Sequence, residues 1–303
     1  MALSDYEHMP FTSYSNKSVA QEYLRELIGS QQIALLLGAG ASHDAGLPSW
    51  SQLIRRCEAE LGMETPDGDR SANELMDALD VIKRFFLEEH ESDLYIPFLR
   101  KSLYGPELIS SGTYSDSMFA SSLFAAIGAT VMAASRNSTC EVFTMNFDDS
   151  LECYLRKHNF RVEVVSELPQ LLSGSSQITV YHPHGYIPLH SDVKPMTSWS
   201  VLGHAEFVAR LAESENSHWR VIFASRLLTK IFLCVGTGMN DIDVEVYLAR
   251  NRATDQQRPL GFVLDKDLSA DRQESLRDAG IAPVVFENFD EIHEFLSEIC
   301  RVI

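Results

Sequence analysis

The chain has 303 residues and a mass of 34.0 kDa, more than one small core can hold, so a single α/β domain carrying an inserted module is the expectation. With 45% hydrophobic and 22% charged residues, and only 16 Gly and 11 Pro, extended disorder and fibrous architectures are excluded. The 25 Lys+Arg against 43 Asp+Glu leave a net charge of −18, which repels a polyanionic backbone and argues against nucleic acid as a direct ligand.

The amino terminus, MALSDYEHMPFTSYSNK, has no basic start followed by an apolar stretch, so no signal peptide is read there. Ile33 to Leu37 (IALLL) is a short apolar run closed by Gly38, the pattern of a strand buried on both faces of a parallel sheet. Leu47, Trp50, Leu53, Ile54 and Cys57 then recur at helical spacing, completing a strand, a Gly-rich turn and a helix, one half of a nucleotide-binding unit. From about 62 to 117 the pattern is helical and acidic, an inserted helical module. The apolar stretch Met118 to Ala134 is too short and too rich in small residues for a membrane span, which needs about 20 apolar residues, and reads as a buried helix.

The alternation of strands and helices then resumes. Strands are expected at Glu141 to Thr144, Arg161 to Val165, Ile178 to His182, Ile231 to Val235, Leu260 to Leu264 and Ala282 to Phe286, with a helix from Asp148. Phe289, Ile292, Phe295, Leu296 and Ile299 form the apolar stripe of a closing helix, with Asp290, Glu291 and Glu294 near its start. The fold class is α/β, a doubly wound Rossmann-like parallel sheet with a helical insertion, in one domain over 1–303. Cys57, Cys140, Cys153, Cys234 and Cys300 are odd in number and widely spaced, the usage of reduced thiols in a cytoplasmic protein.

In such a sheet, motifs that directly follow strands converge on one crevice. Four do so here. Gly38-Ala39-Gly40-Ala41-Ser42, with Gly46-Leu47-Pro48 beyond it, offers glycines for close approach to a pyrophosphate. The dinucleotide fingerprint is incomplete, since His43 stands where its third glycine would be, and a plain tight turn explains the glycines as well. Thr144-Met145-Asn146-Phe147-Asp148-Asp149 presents an amide and a carboxylate two residues apart, or else simple helix N-caps. Tyr181-His182-Pro183-His184-Gly185 supplies imidazoles that suit general-base work or a structural role. No third ligand completes a metal site with His182 and His184, so no metal is expected. Gly236-Thr237-Gly238 with Met239-Asn240-Asp241 repeats the glycine pattern after another buried strand.

The order and spacing of these four motifs resemble the sirtuin-like (silent information regulator type) family from about Ile33 onward. The stretch Trp199 to Asp243, with His204, Glu206 and Phe207, is similar to the NAD hydrolase branch associated with bacterial anti-phage defence. The resemblance implies NAD as a consumed substrate. Asn146 would contact the nicotinamide ribose and the attacking water, Asp148 the nicotinamide end, and His184 would act as base. Gly38, Ala39, Gly40, Ala41 and Ser42, together with Gly236 and Thr237, would carry phosphates and ribose; Gly46, Leu47, Pro48, Trp50, Thr144 and Gly238 would complete the cofactor-binding set. His182 reads as structural. The resemblance also implies a homo-oligomer, or a partner such as a HerA-type ATPase or an Argonaute-type protein, with activity released by assembly.

Two departures set the chain apart from the family's protein deacylases. The four zinc-binding cysteines are missing, and Gly46-Leu47-Pro48-Ser49-Trp50-Ser51 lacks the Asp and Arg of the deacylase pattern. Gly238 also replaces a serine common in its loop. ADP-ribosyl transfer or deacylation is the first alternative, and a nucleotide-binding sensor without turnover the alternative from another class.

Overall fold

The computed structural model describes residues 3–43, 45–66, 68, 70–88, 92–136, 139–168, 170–190, 218–237 and 258–301. Seven strands form one sheet: β1 (Ile33–Leu37), β2 (Cys140–Thr144), β3 (Val162–Val165), β4 (Ile178–Tyr181), β5 (Ile231–Val235), β6 (Gly261–Asp265) and β7 (Ile281–Val285). Their spatial order is β3-β4-β2-β1-β5-β6-β7, and every neighbouring pair is parallel. The chain builds outward from β1 through β2 on one side and from β5 on the other, so the direction of winding reverses between β1 and β5. Ligand crevices of open α/β sheets form at such a reversal, beyond the carboxyl ends of the strands.

Alternate residues of the buried strands face opposite layers. Leu35, Leu37, Val142, Val180, Leu233 and Val235 enter one core, covered by helices Lys17–Gly29, Ser122–Ala134, Ser150–Lys157 and Phe289–Ile299. Leu36, Phe143, Tyr181, Phe232 and Cys234 enter the other, packed by helix His218–Thr229 and by Leu276 of helix Ala270–Asp278. Helix Ser122–Ala134 is the apolar stretch read as core, and it lies so close to helix Ser150–Lys157 that a Cβ on Gly128 would sit 2.2 Å from the Tyr154 ring. No helix among the described residues is long and apolar enough to cross a membrane. In the closing helix Ile292, Phe295, Leu296 and Ile299 are buried, whereas Phe289 at its first turn is exposed and receives the Lys266 ammonium over its ring at 4.7 Å.

Helices also fill the chain between β1 and β2. Leu53, Ile54 and Cys57 of helix Trp50–Glu60 do not pack on the sheet; they join Leu75, Leu79, Ile82, Leu99 and Leu103 of helices Ala72–Glu88 and Ser92–Ser111 in a third core. The capping box between Ser49 and Gln52 starts that helix, Ser49 Oγ accepting from the Gln52 amide and Gln52 Oε1 from the Ser49 amide. Ser49, which stands where the deacylase pattern has Asp, thus has a local structural job.

At the reversal point the loops after β1 and β5 interlock. Gly40 N–H donates to the Gly236 carbonyl at 2.8 Å, and a Cβ on Gly38 or Gly40 would lie 2.6 and 2.9 Å from Gly236 atoms. Gly236 has φ +67°, and its own Cβ would be 2.3 Å from the Ala41 nitrogen. We expect Gly236→Ala to lose at least about 2 kcal/mol of stability, from left-handed backbone strain plus the clash. Gly29→Ala, at a helix end with nothing within 4 Å of the added methyl, is expected to be neutral or to gain up to about 1 kcal/mol. Urea melts of the two variants test the contrast.

Candidate active site

The β2–β4 ladder pairs Cys140 with Ile178 and Phe143 with Tyr181, a constant offset of 38 residues. Asn146 follows β2 by two residues and His184 follows β4 by three, and these two strands are neighbours in the sheet. His184 is half-buried, in a turn closed by the Gly185 N–H donating to the His182 carbonyl at 3.2 Å; Gly185 has φ +116°.

Two bland explanations divide cleanly here. The Asp148 carboxylate accepts from the Ser150 amide at 3.1 Å and from the Ser150 hydroxyl, the local bonding of a residue at a helix start. Asn146 does nothing of the kind. Its Nδ2 donates across the crevice to the Gly38 carbonyl at 3.0 Å and to Ser42 Oγ at 2.8 Å, while its own N–H donates to Thr144 Oγ1 at 3.1 Å. With both amide hydrogens committed, the Oδ1 acceptor is the group left over, and no described residue donates to it.

Ser42 in turn is near enough to the Asp148 carboxylate to lower its proton affinity, so Gly38, Asn146, Ser42, Asp148 and Ser150 line one polar string. A narrow, water-sized cavity lies against it, lined by Ala41, Ser42, Thr144, Asn146, Asp148 and Glu152 among others. Burial raises the Asp148 carboxyl above its ordinary range, and the nearby Glu152 charge adds to this, against the lowering effect of Ser150 and Ser42.

The remaining expected site residues are placed as follows. Gly38, Gly40 and Gly236 pack on one another, and the N–H groups of Gly38, Gly40 and Ala41 are spent on the carbonyls of Val235, Gly236 and Gly38. Ala39 opens the short helix Ala39–His43 that leads on from these glycines. Thr237 is buried at the same junction. Gly46 takes φ +88°, Leu47 is buried in the module core, and Pro48 is buried beside it. Trp50 packs against that core with its indole N–H buried and without a partner among the described residues. Gly238, Asn240 and Asp241, and the stretch carrying His204, Glu206 and Phe207, lie outside the described residues. No group of three His, Cys, Asp or Glu side chains that could hold a metal occurs among the described residues, and all five cysteines are free thiols.

Several functional-looking residues escape the motif reading. Asp149 is 3% exposed, and its Oδ1 accepts from Tyr114 at 2.6 Å and Tyr104 at 3.1 Å, its Oδ2 from the Leu189 amide at 3.2 Å. The single hydroxyl hydrogen of Tyr104 is shared between Asp149 and the nearer Ile187 carbonyl at 2.6 Å, and Arg100 Nε donates to the Pro188 carbonyl at 2.9 Å. Burial, with the Asp149 and Asp148 charges, holds both phenols well above their ordinary range, so they are firm proton donors. The helical module is thereby tied to the segment just after His184. Glu152 also escapes it, an acid between Leu151 and Leu155 being the only sequence signal, and it is buried against His182, the imidazole read as structural, next to Asn146.

A doubly wound sheet with a polar string at its winding reversal defines the class: a Rossmann-like α/β fold of the kind that takes nucleotides at that point. Within that class, a family model described as SIR2-like domain matches residues 140–284, just under half of the chain. The match takes in Asn146, Asp148, Glu152, His182, His184, Gly236 and Thr237, and leaves out the Gly38–Ser42 loop. A SIR2-like region points to NAD-related function and is compatible with an NAD-utilising enzyme. A search of curated proteins returns no match.

A carboxyl whose folded value is raised binds its proton more tightly when folded than when unfolded, so ionisation of Asp148 opposes folding. The penalty grows as pH rises and fades as pH falls into the ordinary aspartate range near about 4. Asp148→Asn, whose amide oxygen can still accept from Ser150, is expected to melt at a higher temperature than wild type at pH 8. That difference should shrink steadily toward pH 4 in thermal scans.

Proposed function

We propose that the chain is an NAD hydrolase, cleaving the bond between nicotinamide and ribose to give nicotinamide and ADP-ribose. The observation that carries this reading is the state of the Asn146 amide. Both of its hydrogens are held by oxygens of the loop after β1, which leaves Oδ1 as an acceptor to which no described residue donates. An amide oxygen accepts a hydrogen bond but takes no proton at neutral pH, so Asn146 suits orienting a water or a ribose hydroxyl.

Departure of nicotinamide leaves oxocarbenium character on the ribose, and water then adds to the anomeric carbon. NAD and water give nicotinamide, ADP-ribose and one proton; His184 is the group that accepts the proton from the water or from the ribose hydroxyl. Asp148, buried near the same oxygen network, places negative charge where the sugar becomes positive. The adenosine diphosphate half would lie along the loops after β1 and β5. There the glycine contacts leave little room for side chains, and the N–H groups of Gly38, Gly40 and Ala41 already have protein acceptors, so the phosphates would be met by other backbone donors. The biological setting of this reading is depletion of cellular NAD during anti-phage defence.

Incubation of the purified chain with NAD, following nicotinamide release, is the direct test. Asn146→Ala and His184→Ala are each expected to lower the rate about 10²–10⁴-fold, the usual cost of an orienting group or general base, while ADP-ribose still binds. Wild-type turnover by His184→Ala would overturn the mechanism. Label from NAD appearing on protein would favour a transferase, and nucleotide binding without any nicotinamide release would favour a sensor.

A further inference from the structure

Glu152, in the first turn of helix Ser150–Lys157, and His182, one residue past β4, have almost no contact with solvent, at 1% and 0% side-chain exposure. Glu152 Oε1 and His182 Nε2 are 2.5 Å apart, and His182 Nδ1 lies 2.9 Å from the backbone carbonyl of Asn146. A carbonyl only accepts, so Nδ1 carries a hydrogen. The short contact on the other side of the ring then requires one more proton, shared between Nε2 and the carboxylate. Whether that proton rests on nitrogen or on oxygen, the pair is neutral overall and Nδ1–H still points at Asn146.

The groups facing the ring come from every element around it: Glu152 on its helix, Asp148 and the Asn146 carbonyl from the loop after β2, and the Tyr186 ring at 4.7 Å from the turn after β4. Asp149, Arg156 and Cys153 act on Tyr186 from the same helix and its start. Burial by itself would lower the imidazole's proton affinity; the Glu152 and Asp148 charges and the carbonyl outweigh it and raise it.

We propose that Glu152 and His182 are positioning residues for the candidate active site. The pair grips the Asn146 carbonyl and so fixes the peptide from which the side-chain amide reaches Gly38 and Ser42. Neither residue touches substrate. The inference rests on the reading of Asn146 as the orienting amide, and it differs from a purely structural role in one respect: the chemical step depends on it.

Glu152→Gln and Glu152→Ala separate the two roles. Gln can donate to Nε2 of a neutral imidazole while Nδ1–H stays on the Asn146 carbonyl; Ala leaves Nε2 unpaired and the ring free to turn. We expect Glu152→Ala to lower kcat for nicotinamide release about 10–100-fold with KM and ADP-ribose affinity within about threefold of wild type, and Glu152→Gln to restore kcat to within about threefold. A folded Glu152→Ala with wild-type kcat, or a Glu152→Gln as impaired as Glu152→Ala, overturns the proposal.

A readout without NAD keeps it testable should hydrolysis prove not to be the activity or Glu152→Ala fail to fold. In 15N-labelled wild-type protein, the His182 Nδ1–H and both Asn146 side-chain amide protons should stay protected and visible from pH 5 to 9. Loss of the Nδ1 proton within that range, or rapid exchange of the Asn146 amide, counts against the pair. Retention of these signals alongside absent NAD cleavage would instead overturn the hydrolase reading alone.

Discussion

The close approach of two backbone loops at the middle of the sheet is the constraint on which the rest depends. Gly40 donates to the Gly236 carbonyl, and the space that side chains would need at 38, 40 and 236 is filled by the opposing loop. That contact sets the height of the Gly38 carbonyl and, through the short helix Ala39–His43, of the Ser42 hydroxyl. Those two oxygens are what the Asn146 amide grips. A slack junction would leave the amide without its partners.

Around this frame the chain buries three acids within five residues, although its net charge is already −18. Each buried carboxylate needs compensation, since an unpaired one costs several kcal/mol even after relaxation. Each is compensated differently. Asp148 is met by the amide and hydroxyl of Ser150, Asp149 by two phenols and the Leu189 amide, and Glu152 by an imidazole that is itself held by a carbonyl. No lysine or arginine is spent on any of them among the hydrogen bonds described, so this acid-rich corner is satisfied by neutral donors and one shared proton.

The sheet was largely legible because its strands announce themselves by continuous burial. Ile33–Leu37 and Ile231–Val235, apolar at every position and enclosed on both faces, were read at their bounds. At the sheet edge the reading was a residue long: Arg161 belongs to the loop, its side chain donating to the Ser175 carbonyl and its amide to Gln177. The helix after the glycine turn was seen, but its destination was not, because an apolar stripe says that a face is buried and not against what. The same limit governs the site. Asn146 and Asp148 are equally plausible caps in sequence, and only the cross-sheet bonds to Gly38 and Ser42 distinguish the amide from its neighbour. The glycines at 38 and 40 were found as a signal, while their strongest visible use is to accommodate residue 236. Tyr104, in a helix, and Tyr114, in the connection after it, carry no local sign, since a tyrosine shows its ring and hides the destination of its hydroxyl.

Asp148 and Asp149 are sequence neighbours whose carboxylates serve opposite sides, one bonded to Ser150 beside the cavity that Ser42 also lines and the other to the tyrosines of the helical module. This dipeptide is therefore a mechanical coupling. The module cannot be exchanged for a different cap, or levered away from the sheet by a binding partner, unless the newcomer brings two hydroxyl donors to a carboxylate that is almost wholly enclosed. A graft that omits them would leave a naked charge one residue from the polar string, and the insertion is for that reason part of that string's electrostatics and not a removable ornament.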